Sequence, residues 1–104
     1  MVTSDEARQI ALSFEGTDEK PHFHRTAFTV NKKIFATLLE RESTLNLMFD
    51  TQTQFIFCPP NSEIIFPVPN KWGLKGATTI DLKKANKKLV KNALEEAYKL
   101  RKEK

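Results

Sequence analysis

Two short basic stretches carry the side chains best suited to chemistry. Lys71, Trp72 and Lys75 fall close together, inside the stretch from Phe66 to Leu82 that also holds two of the three Gly and two of the five Pro. Lys32 and Lys33 form a second cationic pair. A lysine ammonium contacts phosphate without reading sequence, and an indole stacks on a base or wedges into a groove. Together these groups suit a phosphate backbone with a base face beside it. The same residues also fit a plainer reading, with lysines solvating turns and Trp72 folded back as a lid on the core. Five residues of this kind give weak, salt-sensitive binding.

Other reactive types are sparse. His22 and His24 are two residues apart, so in an extended segment they face the same way. Two imidazoles fall short of a metal site, and Cys58 would have to reach them through the fold to complete one, or to act as a Cys–His nucleophile. Against that stands the reading of two loop imidazoles and one core thiol. Asp50, Glu63 and Asp81 have no spacing that pairs carboxylates. Gly73 and Gly76 precede a strand and not a helix, so they form no phosphate loop. The expectation is a binding protein and not an enzyme, with no catalytic residue, no metal and no cofactor.

The elements that position these groups follow from hydrophobic periodicity. Pro69 to Gly76 reads as a long turn between two strands, one with Ile64, Phe66 and Val68 alternating and one with Thr78, Ile80 and Leu82. Pro67 lacks an N–H for a ladder, so the first of these belongs at a sheet edge or has its pairing broken there. Upstream, Phe28 and Val30 alternate in one strand and Ile34, Ala36 and Leu38 in the next, with Asn31-Lys32-Lys33 short enough for a hairpin turn. Leu45, Leu47 and Phe49 line one face of a third strand. The six side chains of Leu45, Leu47, Phe49, Ile64, Phe66 and Val68 are expected to be mostly buried. Asp50 can cap a short helix over Thr51 to Phe57, and Cys58-Pro59-Pro60-Asn61 ends it.

Helices close both ends. Thr3 and Glu6 have capping-box spacing, Ala7, Ile10, Ala11 and Phe14 recur at helical period, and Gly16 is the expected stop. Thr17 to His22 is polar, contains Pro21, and reads as loop. From about Leu82 to Lys102 the period is helical again, with Leu89, Val90, Ala93, Leu94, Ala97 and Leu100 on one face. Lys84, Lys88, Lys91, Lys99 and Lys102 line the other. The predicted order is α-β-β-β-α-β-β-α. This is an α+β two-layer sandwich, a five-stranded antiparallel sheet with helices on one face.

Length and charge bound the class. One domain over 1–104 is expected, able to bury a single core around eight Phe, one Trp and one Tyr. No apolar run reaches the roughly 18 residues of a membrane span. Residues 1–15 lack the apolar block of a signal peptide, and one Cys forms no internal disulfide. A cytoplasmic protein is the expectation. The net charge of +4 is uneven, because residues 83–104 hold nine Lys or Arg against three Glu. The excess belongs to the C-terminal helix. It is compatible with a polyanion partner and equally with a solvated helix face.

The wording of three segments, taken in order, resembles the MmcQ/YjbR family over roughly Ala11 to Leu100. Ala11-Leu12-Ser13-Phe14-Glu15-Gly16, with Glu19 after it, is similar to that family's Ala-Leu-x-Leu-Pro-Gly helix end. Ala27 to Leu38 is similar to its first hairpin, with Lys33-Ile34-Phe35-Ala36 as the Lys-x-Phe-Ala core. Trp72-Gly73-Leu74-Lys75-Gly76-Ala77-Thr78 followed by Ile80-Asp81-Leu82 matches most closely. The chain departs from the pattern at Phe14-Glu15 in place of Leu-Pro, at Asn31-Lys32 where Gly is common, and at Ala77 where many members carry Trp. The resemblance implies a compact two-layer fold of the secretion-chaperone class and no shared catalytic activity. It implies DNA binding through a double wing of protruding hairpins, hence through Lys32, Lys33, Lys71, Trp72 and Lys75. The alternative is a protein- or peptide-binding, chaperone-like module using a sheet face or edge. The expected partners are DNA or a protein and not a membrane, for a monomer or weak dimer.

Overall fold

The computed structural model describes residues 1–103. The chain starts with α1 (Ser4–Leu12), whose N-terminus carries the expected capping box. The Thr3 hydroxyl accepts from the Glu6 N–H at 3.1 Å, and the Glu6 carboxylate accepts from the Thr3 N–H at 3.0 Å. Four strands follow: β1 (Thr17–His22), β2 (Arg25–Val30), β3 (Lys33–Leu39) and, after a 3-10 turn at Glu40–Glu42, β4 (Thr44–Met48). Then come α2 (Thr51–Phe57), β5 (Ile65–Pro67), a single helical turn α3 (Lys71–Leu74), β6 (Ala77–Asp81) and α4 (Lys87–Lys102). Asp50 caps α2 as expected, its carboxylate accepting from the Thr53 N–H at 2.8 Å.

The sheet is fully antiparallel and has six strands in the order β1-β2-β3-β4-β6-β5, not five. The added strand is β1, formed by Thr17 to His22, the segment whose polarity and Pro21 suggest a loop. Composition is overruled here by tertiary pairing. β1 is an edge strand, where a proline without an N–H is tolerated. On its helix-facing side Glu19 accepts from Arg8 Nε of α1 at 2.6 Å, with Nη2 at 2.5 Å. β5 lies at the opposite edge, the position Pro67 calls for.

Register separates the two faces. Glu19, Phe28, Ala36, Leu47, Thr78 and Pro67 are cross-strand partners in one row toward the helices. Lys20, Ala27, Thr37, Asn46, Thr79 and Phe66 form the neighbouring row on the other face. The helix side holds the core, where Phe28, Leu38, Leu45, Leu47 and Ile80 pack against Val90, Ala93, Leu94 and Ala97 of α4 and Ala7 and Ala11 of α1. A bulge in β3 sets Phe35 and Ala36 both opposite Phe28. The bulge breaks the expected alternation of Ile34 with Ala36 and Leu38, and Phe35 is buried with its ring edge-on to Tyr98.

Parity in β5 also differs from the expected pattern. Leu45, Leu47 and Phe49 are buried, but in β5 the core residue is Ile65, paired with Ile80. Ile64 is exposed, and Phe66 and Val68 are only half-buried. Both parities of Ile64-Ile65-Phe66-Pro67-Val68 are apolar, so alternation alone does not choose the face. The Ser62 hydroxyl, which accepts from both the Ile64 and Ile65 N–H groups, fixes how the strand begins. α4 starts at Lys87 rather than near Leu82, because Asn86 caps it and residues 82–85 turn on Asp81.

Cys58 follows α2, half-buried against the core. Burial pushes its thiol up from the usual value, and the hydrogen bond with Thr78 only partly offsets this. The nucleophile is the thiolate, so the native protein should react with a thiol reagent at neutral pH more slowly than its urea-unfolded form. Equal rates in the two states would contradict this packing.

Candidate functional site

The outer face of the sheet, opposite α1 and α4, is where basic side chains converge. Antiparallel pairing brings the β2–β3 turn, the end of β4 and the connection from β5 to β6 to one end of the sheet. The first of these is a two-residue turn of Asn31 and Lys32, both with positive φ (53° and 66°), as a primed hairpin turn requires. It presents Lys32 and Lys33 outward, both exposed.

The β5–β6 connection is a folded platform rather than the extended turn expected from Pro69 to Gly76, since α3 forms within it. Asn70 caps α3, its side-chain oxygen accepting from the Trp72 N–H at 2.8 Å. Gly73 packs directly on the backbone of Val68: a Cβ there would stand 1.7 Å from the Val68 carbonyl oxygen. Gly76 has φ +116° and sits against the Phe49 carbonyl. Gln54 of α2 ties the platform down, donating to the carbonyls of Gly73 at 2.8 Å and Ala77 at 3.0 Å. Gly73→Ala should therefore displace the loop, lower stability by about 1–3 kcal/mol, and shift the emission of the sole tryptophan. An unchanged melting curve and emission spectrum would mean that the loop does not pack this closely.

Trp72 is held outward on this platform, 64 % exposed, with Lys75 Nζ 5.5 Å from its ring centroid. It does not form a lid on the core. Between the platform and β1 lies an open groove of about 660 Å³. Its floor includes Thr37, Asn46, Met48 and Ala77, and its edges carry Lys20, His22, Arg25, Lys32, Lys33, Trp72 and Arg101. Among the described residues, no carboxylate lines it. Among the described residues, the ion pairs Arg8–Glu19, Lys84–Glu63 and Lys87–Glu6 do not involve Lys20, Arg25, Lys32 or Arg101. Arg25 donates to the Thr37 hydroxyl at 3.4 Å. Burial lowers the Arg25 pKa, and the charge of Glu42 compensates in part. An anion entering the groove would favour the charged guanidinium and so offset the effect of burial.

Three of the five residues singled out from sequence, Lys32, Lys33 and Trp72, line the groove. Lys75 lies over Trp72 and lines a smaller neighbouring cleft of about 180 Å³ with Asp50 and Arg101. Lys71 is exposed on α3 and lines neither. Lys20, Arg25, Asn46 and Arg101 were not legible as site residues. Lys20 belongs to the strand mistaken for loop, although Asp18, Lys20 and His22 do alternate with Glu19 and Pro21. Arg101 reaches the groove from the end of α4, which no pattern in the helix reveals.

His22 and His24 do not act together. Phe23 takes a left-handed conformation (φ 59°) and turns the chain, so His22 lines the groove while His24 lines a separate hollow beside Glu40 and Arg41. Among the described residues, no group of three or more His, Cys, Asp or Glu is placed to hold a metal ion, and no helix is long and apolar enough to cross a membrane.

A family model described as YjbR matches residues 12–100 of the chain, which covers the sheet, every groove residue named above except Arg101, and most of α4. No curated protein and no solved structure gives a match.

Proposed function

Because this chain belongs to the YjbR family, we propose that it is a nucleic-acid-binding module rather than an enzyme, and that it holds DNA through the basic groove and the two loops beside it. The observation that carries this reading is the convergence of five cations and one exposed indole around a groove that no carboxylate lines among the described residues. Such a surface attracts a polyanion, positions its phosphates without reading sequence, and offers one stacking face. The family resemblance points to the same class of partner.

Trp72 reports on this directly. Titration with DNA at about 50 mM salt should quench or shift its emission, and about 200 mM salt should reverse most of the effect. Lys71→Ala with Lys75→Ala should weaken the response without unfolding the protein. Changing Lys88, Lys91 and Lys99 to Gln should leave it intact, because α4 packs on the opposite face of the sheet and these lysines point away from the groove. Emission unchanged at DNA concentrations near 100 μM, the weak end of non-specific binding, would contradict the reading. A second reading, a protein partner, rests on Phe55 and Ile56, which stand 85 % and 78 % exposed on α2. Stoichiometric co-purification of one protein, lost in Phe55→Ser with Ile56→Ser, would support it.

A further inference from the structure

The dimensions and floor of the groove say more about the form of the ligand. A volume of about 660 Å³ is that of a cube roughly 9 Å on edge, within the range of single-ligand pockets. A duplex does not fit: its major groove alone is about 12 Å wide and about 8.5 Å deep. Resting on the edges, a duplex would meet the exposed Lys32 and Trp72 but not the buried Thr37 or the half-buried Asn46 on the floor. An unpaired nucleotide has the size to enter.

The floor also has the chemistry of a base pocket. Met48 and Ala77 supply apolar contact, as a flat base face requires. Asn46 Oδ1 accepts from the Thr79 hydroxyl at 2.8 Å, which fixes the amide and turns its N–H₂ to donor use. Among the described residues no acceptor takes those protons, although the side chain lines the groove. Lys20 and Arg25 stand on the β1–β2 side, Lys32 and Lys33 at the sheet end, and Trp72 across from them. Phosphates and a base therefore find separate partners within one groove.

We infer that the groove seats an unpaired stretch of nucleic acid, its phosphates on Lys20, Arg25 and Lys32, one base stacked on Trp72 and another base edge at Asn46. This rests on the nucleic-acid reading above and is separable from it. The test is fluorescence anisotropy at about 50 mM salt with a labelled mixed-sequence 12-nucleotide single strand and with its duplex, a length on the scale of known single-strand sites of roughly 4–16 nucleotides. The single strand should bind about tenfold or more tightly. Trp72→Ala should weaken single-strand binding about 5- to 150-fold, the range for loss of one stacked base. Asn46→Ala should weaken it while leaving duplex binding within about twofold, since a duplex does not reach the floor. Should Asn46→Ala lower the melting temperature, Thr37→Val examines the same floor. Duplex binding equal to or tighter than single-strand binding overturns the inference and leaves the nucleic-acid reading standing. Binding of neither form overturns both. Displacement of the strand by poly-glutamate at equal charge concentration also overturns it, and assigns the groove to acidic peptide.

Discussion

Leu94→Ala should destabilise the protein by about 2–5 kcal/mol, the cost of emptying a packed core position. Leu94 is fully buried in the middle of α4, within the cluster that joins this helix to Leu38, Leu45, Leu47 and Ile80 of the sheet. α4 covers the central strands β3 and β4, so it supports the far side of the sheet that carries the groove. A loss of this size is a large part of a small domain's stability. Chemical denaturation monitored by far-UV circular dichroism measures it. A loss below about 1 kcal/mol would mean that α4 is not docked on the sheet as described.

The second large effect concerns binding. Lys20→Ala, Arg25→Ala and Lys32→Ala together remove three phosphate contacts. At about 0.7 per contact for single strands, the slope of log affinity against log salt should flatten by about 2. At about 50 mM salt this amounts to a loss of two to three orders of magnitude. The three residues form none of the ion pairs among the described residues, and Lys20 and Lys32 are exposed, so the variant should remain folded. An unchanged slope would place the polyanion elsewhere on the molecule, and the same measurement on Lys88, Lys91 and Lys99 changed to Gln would then locate it.

Sequence and structure agree where one local interaction decides the outcome. The Thr3–Glu6 capping box, the Asp50 cap, the Asn31-Lys32 turn and the single-sided apolar stripe of α4 are all local, and all are present. Edge placement of β5 follows from one proline. Disagreement begins where pairing or packing with another element decides. Thr17 to His22 forms a strand because β2 pairs with it and Arg8 holds Glu19. Phe35 turns inward because β3 bulges opposite Phe28. Ile65 and not Ile64 enters the core because Ile80 lies across from it.

The candidate site divides along the same line. Lys32, Lys33 and Trp72 are recognisable because they sit at turns, where cations and an exposed indole stand out from an apolar pattern. Lys20, Arg25, Asn46 and Arg101 join them only through the order of strands and the end of α4. The candidate site is a groove on the open sheet face bounded by the two loops.

The most direct test of the groove as the binding surface is amide chemical-shift mapping of ¹⁵N-labelled protein titrated with a short single-stranded oligonucleotide at low salt. Shifts should concentrate at Lys20, Arg25, Lys32, Thr37 and Asn46, and at the Trp72 backbone amide and indole N–H, while Lys88, Lys91 and Asn92 on the outer face of α4 stay unmoved. Shifts confined to α1 and α4, or no shift at all, would contradict the account.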